Sequence, residues 1–243
     1  MRKDVLMALL VVFVVVAYSI SDALDNVGGP AADIEPVKPN WSAIAAWPAV
    51  EVPDVEAQPD PNRRITAIVL DDSGSMERRI TEAKSAVVAA LEAMADEDRV
   101  AVVALNAGTV LAFRSVAEAR QSLPNLLDPI RADGSTPLAR SVRTAQDLLA
   151  AEAARVRGFG TFRLIVTTDG QADDDAALNK AIARLARRTP IQLTTIGINL
   201  GGRHVLKRED LGSFVDVANV SALTAALQAA VAENTNFAAI TNF

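Results

Sequence analysis

The chain has 243 residues, a net charge of −6, no cysteine and a single histidine, His204, which excludes disulfide staples, thiolate ligands, cysteine nucleophiles and any multi-histidine metal site. The acidic excess lies entirely in residues 1–62, while residues 63–243 are charge-balanced without a basic stripe, which argues against a nucleic-acid partner. Half of the residues are apolar but only 4% are aromatic, so an aliphatic, alanine-rich core is expected in one medium domain with extensions.

At the N-terminus, Arg2 and Lys3 precede an apolar run from Val5 to Ile20. Its length falls between a spanning helix of ~17–25 residues and a signal core of ~7–15. Ala17/Ser19 and Ser21/Ala23 offer peptidase sites, but no Gly or Pro interrupts the run, which favours an uncleaved anchor over residues 1–21. The positive-inside rule then holds Arg2 and Lys3 in the cytoplasm. The expectation is a single-pass protein of the cytoplasmic membrane with its domain facing the periplasm or the outside. A secreted or periplasmic product after signal cleavage is the alternative.

Residues 22–62 hold seven of the eleven prolines and eight acids against one lysine, the composition of an extended, self-repelling linker. Within it, Trp41, Ile44 and Trp47 have the spacing of one face of a short helical turn. They suit packing back onto the folded domain, resting at a membrane interface, or docking a partner.

Residues 63–235 alternate strand and helix patterns. "ITAIVLD" is β-branched and apolar on both faces, as a central parallel strand should be. Ile80, Ala83, Val87, Leu91 and Met94 recur at helical spacing. "RVAVVALN" is the next strand, and "NAG" turns it into "TVLAFR", an antiparallel edge strand. A weak helix containing Pro124 is followed by a longer one faced by Leu138, Val142, Ala145 and Leu149. After the strand "FRLIVTTD", Asp173 to Asp175 open a helix lined by Leu178, Ile182 and Leu185, closed by Arg187 and Arg188 in keeping with its dipole. "IQLTTIGIN", "SFVDVA" and a helix around Leu223, Leu227 and Val231 complete the series, and residues 236–243 form a tail. The expected fold is α/β: a doubly wound, mostly parallel sheet with one antiparallel edge strand and helices on both faces.

In such a sheet, ligands bind beyond the carboxyl ends of the strands. Three segments place oxygen donors there. In "LDDSGSM", Asp71, Ser73 and Ser75 alternate at a two-residue period, and Gly74 permits a tight turn. In "DGSTPL", Thr136 precedes Pro137 and is expected at a helix N-cap. In "TTDG", Asp169 ends a buried strand. Two carboxylates and three hydroxyls, with no nitrogen or sulfur, form a hard donor set suited to Mg2+ or Mn2+.

From about Arg63 to Glu233 the chain resembles the von Willebrand factor type A domain, the module also found as the integrin inserted domain. The resemblance rests on "VLDDSGSM", "DGSTPL" and "VTTDG", which look like that family's three-part metal-ion-dependent adhesion site. It implies direct metal binding by Ser73 and Ser75, and by Thr136 in the ligand-competent state, with Asp71 and Asp169 acting largely through water. It also implies a protein partner whose Glu or Asp completes the coordination. Asp72 and Asp133 depart from the family pattern by adding carboxylates beside the site, and both are expected to point to solvent. Asp72, Gly74, Asp133, Gln171 and His204 are the candidate rim contacts for a partner.

Catalysis is not expected. "VLDD" resembles the nucleophile segment of haloacid-dehalogenase phosphatases, but the general acid required two residues on is Ser73 here. A serine hydrolase would have only His204 as its base, and that residue is expected in a solvated loop, with no G-x-S-x-G elbow elsewhere. No phosphate-binding Walker loop is present. The expected function is therefore a membrane-tethered extracytoplasmic binding module. The alternative is an envelope assembly or maturation factor acting with an AAA+ ATPase on a metalloenzyme or complex, and a phosphatase-like hydrolase is the weakest reading.

Overall fold

The computed structural model describes residues 36–48, 60–201, 204–208 and 210–232. At its centre is β1 (Arg64–Leu70), whose last six residues are all buried. Strand side chains alternate between faces, so an apolar residue at every position is needed only when both faces are covered. Ile68 and Leu70 enter one apolar cluster, whereas Ile65, Ala67 and Val69 enter the other. Each Ile, Leu or Val among them removed from water contributes about 1.5–3 kcal/mol.

β1 pairs in parallel with β2 (Arg99–Ala104) on one side and β4 (Thr161–Thr168) on the other, setting Ile68 opposite Val102 and Ile165. β5 (Gln192–Ile198) and β6 (Ser213–Val217) extend the parallel sheet beyond β4. β3 (Gly108–Ser115) is antiparallel to β2 at the far edge, as the tight turn after Asn106 led one to expect. The order is β3-β2-β1-β4-β5-β6.

α2 (Ile80–Ala90), α3 (Val116–Leu127) and α6 (Leu223–Ala232) cover the face of Ile68, while α4 (Leu138–Arg155) and α5 (Asp175–Arg188) cover the face of Val69. Local signals set several of these ends. Ser115 and Glu118 form a reciprocal capping box on α3, and the Asp174 side chain accepts the Ala177 N–H at the start of α5. Consecutive connections leave β1 toward β2 and then return to β4, so the strand order reverses between β1 and β4. The residues immediately after those two strands therefore flank the crevice where such sheets take ligands.

Residues 36–48 depart from the extended linker expected of them. Asn40 caps α1 (Trp41–Ala45) by accepting the Ala43 N–H, and its own N–H donates to Arg187 O at 2.8 Å. The Val37 N–H donates to Asp210 Oδ2 at 2.9 Å. Trp47 stands edge-on to Phe162, ring centroids 4.8 Å apart, and packs with Val37 against the second cluster. Trp41 is 74% exposed and takes no part in this packing. The linker's average composition hid a short stretch with enough apolar surface, plus two backbone anchors, to offset the entropy of ordering it.

The N-terminal apolar run and the tail over 236–243 lie outside the described residues. Among the described residues, no helix is long and apolar enough to cross a membrane.

Candidate functional site

Asp71 is the first residue after β1 and is fully buried. Its Oδ1 accepts the Ser73 N–H at 2.9 Å and the Ser73 hydroxyl at 2.6 Å. Its Oδ2 accepts the Thr168 hydroxyl at 2.8 Å and the Asp169 N–H at 3.3 Å, which ties the end of β1 to the end of β4. Burial pushes the Asp71 carboxyl above its ordinary pKa, opposed by the Ser73 and Thr168 hydrogen bonds, and the nearby Asp169 charge adds to the rise. A cation in this crevice would offset that desolvation.

The Ser73 and Ser75 hydroxyl oxygens are 3.0 Å apart. Each serine has one hydroxyl proton. Ser73 commits its proton to Asp71 at 2.6 Å, and Ser75 donates to Asp169 Oδ1 at 2.5 Å. With both carboxylates ionised, the two oxygens present lone pairs to each other with no proton between them. The spacing equals the edge of an octahedron around a cation bound at about 2.1 Å, which is about 3.0 Å.

The second segment closes over the first through its backbone. Gly74 N–H donates to Gly134 O at 3.1 Å, and Asp133 N–H donates to Asp72 O at 2.9 Å. Gly134 has φ +81°, and a Cβ there would lie 2.8 Å from Asn106 Oδ1, so only glycine fits. A methyl group placed on Gly170 would touch both Ser75 Oγ and Thr136 Oγ1 at 3.9 Å, so the hydroxyls of the first two segments converge beside the third. Thr136 is not the helix N-cap expected of it. Pro137 takes that position, with φ −77° and ψ 50° and no side-chain cap bond. Thr136 is held two residues before α4 by its N–H to Asp173 Oδ1 at 2.8 Å and by its carbonyl, which accepts the Asp173 N–H. This arrangement frees the hydroxyl from capping duty.

Asp71, Ser73, Ser75, Thr136 and Asp169 are thus brought together at the reversal between β1 and β4. Among the described residues there is no group of three or more His, Asp or Glu able to hold a metal, so a cation here relies on the hydroxyls as well as the carboxylates.

The rim differs from expectation at two places. Asp72 points neither to solvent nor at the cluster: it is 1% exposed and clasps the β2–β3 turn. Its Oδ1 accepts the Asn106 N–H at 2.7 Å and its Oδ2 the Ala107 N–H at 3.1 Å. Two backbone donors at a tight turn compete successfully with water for a carboxylate. Asp72 is therefore unsuited to contact a partner. His204 is likewise not a solvated loop residue. It is buried, its Nδ1 accepts the Leu206 N–H at 3.1 Å, and its Nε2 lies 3.1 Å from Gly170 O. That pairing assigns the neutral Nε2–H tautomer, because the carbonyl needs a donor. Asp133, Gly74 and Gln171 are exposed, as a rim requires, and Asp133 Oδ1 accepts the N–H of Gly134 at 2.7 Å.

Burial lowers the His204 pKa below its ordinary value, partly offset by the Gly170 carbonyl and by Asp175. The unfolded chain takes up its proton near pH ~6.5, before the folded protein does, so stability is complete above that pH and declines as pH falls through it. A urea-denaturation series from pH 8 to 5 should show this loss, and His204→Gln should flatten it. Carboxylates held low, such as Glu152, act further down. Burial would raise its pKa, but hydrogen bonds from Arg155 and Arg99 prevail and lower it, so its contribution is lost only below about pH 4.5.

One residue escaped the sequence reading. Arg79 Nη1 reaches Asp169 Oδ2 at 2.7 Å. The signal for it was a pair of arginines, Arg78 and Arg79, at the start of a helix, where the dipole disfavours cations.

Solved structures with this fold include a von Willebrand factor type A protein from Catenulispora acidiphila, at 20% identity and a TM-score of 0.59, covering 70% of this chain and 42% of that one. Proximal thread matrix protein 1 from the mussel byssus, solved in one form with a zinc-occupied metal-ion-dependent adhesion site, aligns at 15% identity and a TM-score of 0.57, over 72% of this chain and 48% of that one. The pilus adhesin SpaC from Lactobacillus rhamnosus GG aligns at 15% identity and a TM-score of 0.54, over 70% of this chain and 30% of that one. The chain thus spans less than half the length of these relatives. No curated protein sequence matches it significantly. The family model of the von Willebrand factor type A domain matches residues 67–242, and with the six-stranded sheet and strand-end oxygen cluster in place, this chain belongs to that family.

Proposed function

We propose that this type A domain is a binding module that grips an acidic group of a protein partner through Mg2+ or Mn2+ held by Asp71, Ser73, Ser75, Thr136 and Asp169. In this reading the apolar N-terminal segment tethers it outside the cytoplasm. The observation that carries the reading is the 3.0 Å approach of two serine oxygens, each also within hydrogen-bond distance of a carboxylate. The donors fit a hard divalent cation, and the neutral hydroxyls leave its charge largely unquenched. Bound there, the cation would supply an electrophilic position open to one further carboxylate oxygen.

The protein's own residues set the rest. Asp71 and Thr168 lock the ends of β1 and β4 together. The Gly74–Gly134 backbone bond holds the second segment over the first, and exposed Ser75 and Asp133 leave the mouth open. Type A domains are chiefly interaction modules, which agrees with this reading. A manganese-loaded TRAP protein from Plasmodium vivax, at 17% identity and a TM-score of 0.50, supports the choice of metal by analogy. Binding is favoured over hydrolysis because both nitrogens of His204 are engaged, leaving the one histidine unavailable as a base.

The test is capture of a partner from membrane extracts by the full chain, in Mg2+ or in EDTA, with wild type and Thr136→Ala. Recovery should fall at least tenfold in EDTA and with the variant, in line with loss of a metal or its ligand. Equal recovery in all arms would contradict metal-mediated binding.

A further inference from the structure

Arg79 brings a full positive charge to a carboxylate of the proposed cation site. It occupies the N-cap of α2 without making a side-chain cap bond. A cation there is disfavoured by the helix dipole, typically by about 0.3–1 kcal/mol. Its side chain turns instead to Asp169, Nη1 to Oδ2 at 2.7 Å. The other oxygen of Asp169 accepts the Ser75 hydroxyl at 2.5 Å. Both oxygens of this carboxylate are therefore already held, and its charge is neutralised by the chain itself.

The two partners differ in freedom. The Asp169 side chain is 1% exposed and fixed at the end of β4, whereas that of Arg79 is 41% exposed and can swing into solvent. A divalent cation and the guanidinium draw on the same carboxylate, and each lowers the other's attraction to it.

We propose that Arg79 sets the cation affinity of this site by competing for Asp169, so that the tightest cation binding requires an acidic partner as well. This rests on the function proposed above. With Arg79 in place, the two carboxylates Asp71 and Asp169 and one guanidinium give a local charge of −1 instead of −2. An incoming carboxylate restores the missing negative charge, and a guanidinium released from Asp169 can meet it with its planar fork of donors. Cation and partner then favour each other reciprocally, as coupled ligands must. The arrangement suits a module that should hold its metal firmly only while engaged.

The experiment uses the full chain and Mn2+ alone, with free Mn2+ read by electron paramagnetic resonance and heats by titration calorimetry. Arg79→Gln and Arg79→Met, both uncharged and of similar reach, should bind Mn2+ roughly tenfold more tightly than wild type. Arg79→Lys keeps the charge and should stay within about threefold. A second readout is thermal. Without metal, the two neutral variants should melt below wild type, because Asp169 has lost its counter-ion, and should gain more on adding Mn2+. Wild-type binding with unchanged or weaker affinity in both neutral variants would overturn the role of Arg79 and leave the cation site standing. Absence of Mn2+ binding in all four proteins would overturn both.

Discussion

Ser73→Ala combined with Ser75→Ala is expected to weaken Mn2+ and Mg2+ binding by about a hundredfold or more, beyond the ~10–100-fold typical of losing an outer-shell group. The double change removes the two oxygens that face each other at 3.0 Å and leaves a carboxylate pair without its neutral bridge. It also deprives Asp71 Oδ1 of its 2.6 Å hydroxyl donor and Asp169 Oδ1 of its 2.5 Å one. Buried Asp71 then keeps fewer bonds to offset its desolvation, so the metal-free protein should lose about 1–3 kcal/mol of stability. Calorimetric titration reads the first effect and urea denaturation the second. Ser75 is exposed and Ser73 buried, so most of the stability loss should follow the Ser73 change alone.

Asp72→Ala should cost about 2–4 kcal/mol, the largest stability effect expected of any polar residue near the site. Asp72 accepts the N–H groups of Asn106 and Ala107 at 2.7 and 3.1 Å, and alanine leaves both donors at the β2–β3 turn unmatched. Asp72→Asn should not rescue it fully, because the amide supplies only one accepting oxygen and turns an NH2 toward the other donor. Asn106 also donates through Nδ2 to Ser135 O at 2.9 Å, so loosening the turn loosens the loop that carries Thr136. Cation affinity should therefore fall too, by about threefold to tenfold, which is less than for the serine pair. Thermal melts, with and without Mn2+, separate the two effects.

These three residues illustrate what the primary structure conveys and what it does not. The run "ITAIVLD" announces a strand covered on both sides, because no half-exposed strand tolerates apolar residues at successive positions. The strand–helix alternation then fixes a doubly wound sheet, and the three oxygen-bearing segments fall at strand ends, where chain direction delivers them to one edge. Ser73, Ser75, Asp169 and Thr136 were legible for that reason: their positions follow from period and topology.

What escaped reading depended on contacts made across the fold. Asp72 and Asp71 are adjacent and chemically alike, yet one faces the cluster and the other a backbone turn that arrives 34 residues later. The two-residue period separates their faces, but nothing local shows that Asp72 meets a backbone turn instead of solvent. His204 looks solvated in "GGRHV", and its burial depends on meeting Gly170 O, 34 residues before it. Thr136 next to Pro137 imitates a capping pair, but Asp173 from the following loop claims its backbone and moves the helix start by one residue. Residues 36–48 read as linker by composition, but the helical-turn spacing of Trp41, Ile44 and Trp47 allowed packing onto the domain, and Trp47 does so against Phe162 while Trp41 stays exposed. Arg79 alone left a trace, a cation where a helix begins, and the reason for it lies on β4.

Anomalous diffraction from crystals grown in Mn2+ tests the cation-gripping claim most directly. One strong manganese peak is expected at the crest of the sheet, bonded to both Ser73 Oγ and Ser75 Oγ at about 2.1–2.2 Å. A crest without manganese at saturating concentration would contradict it.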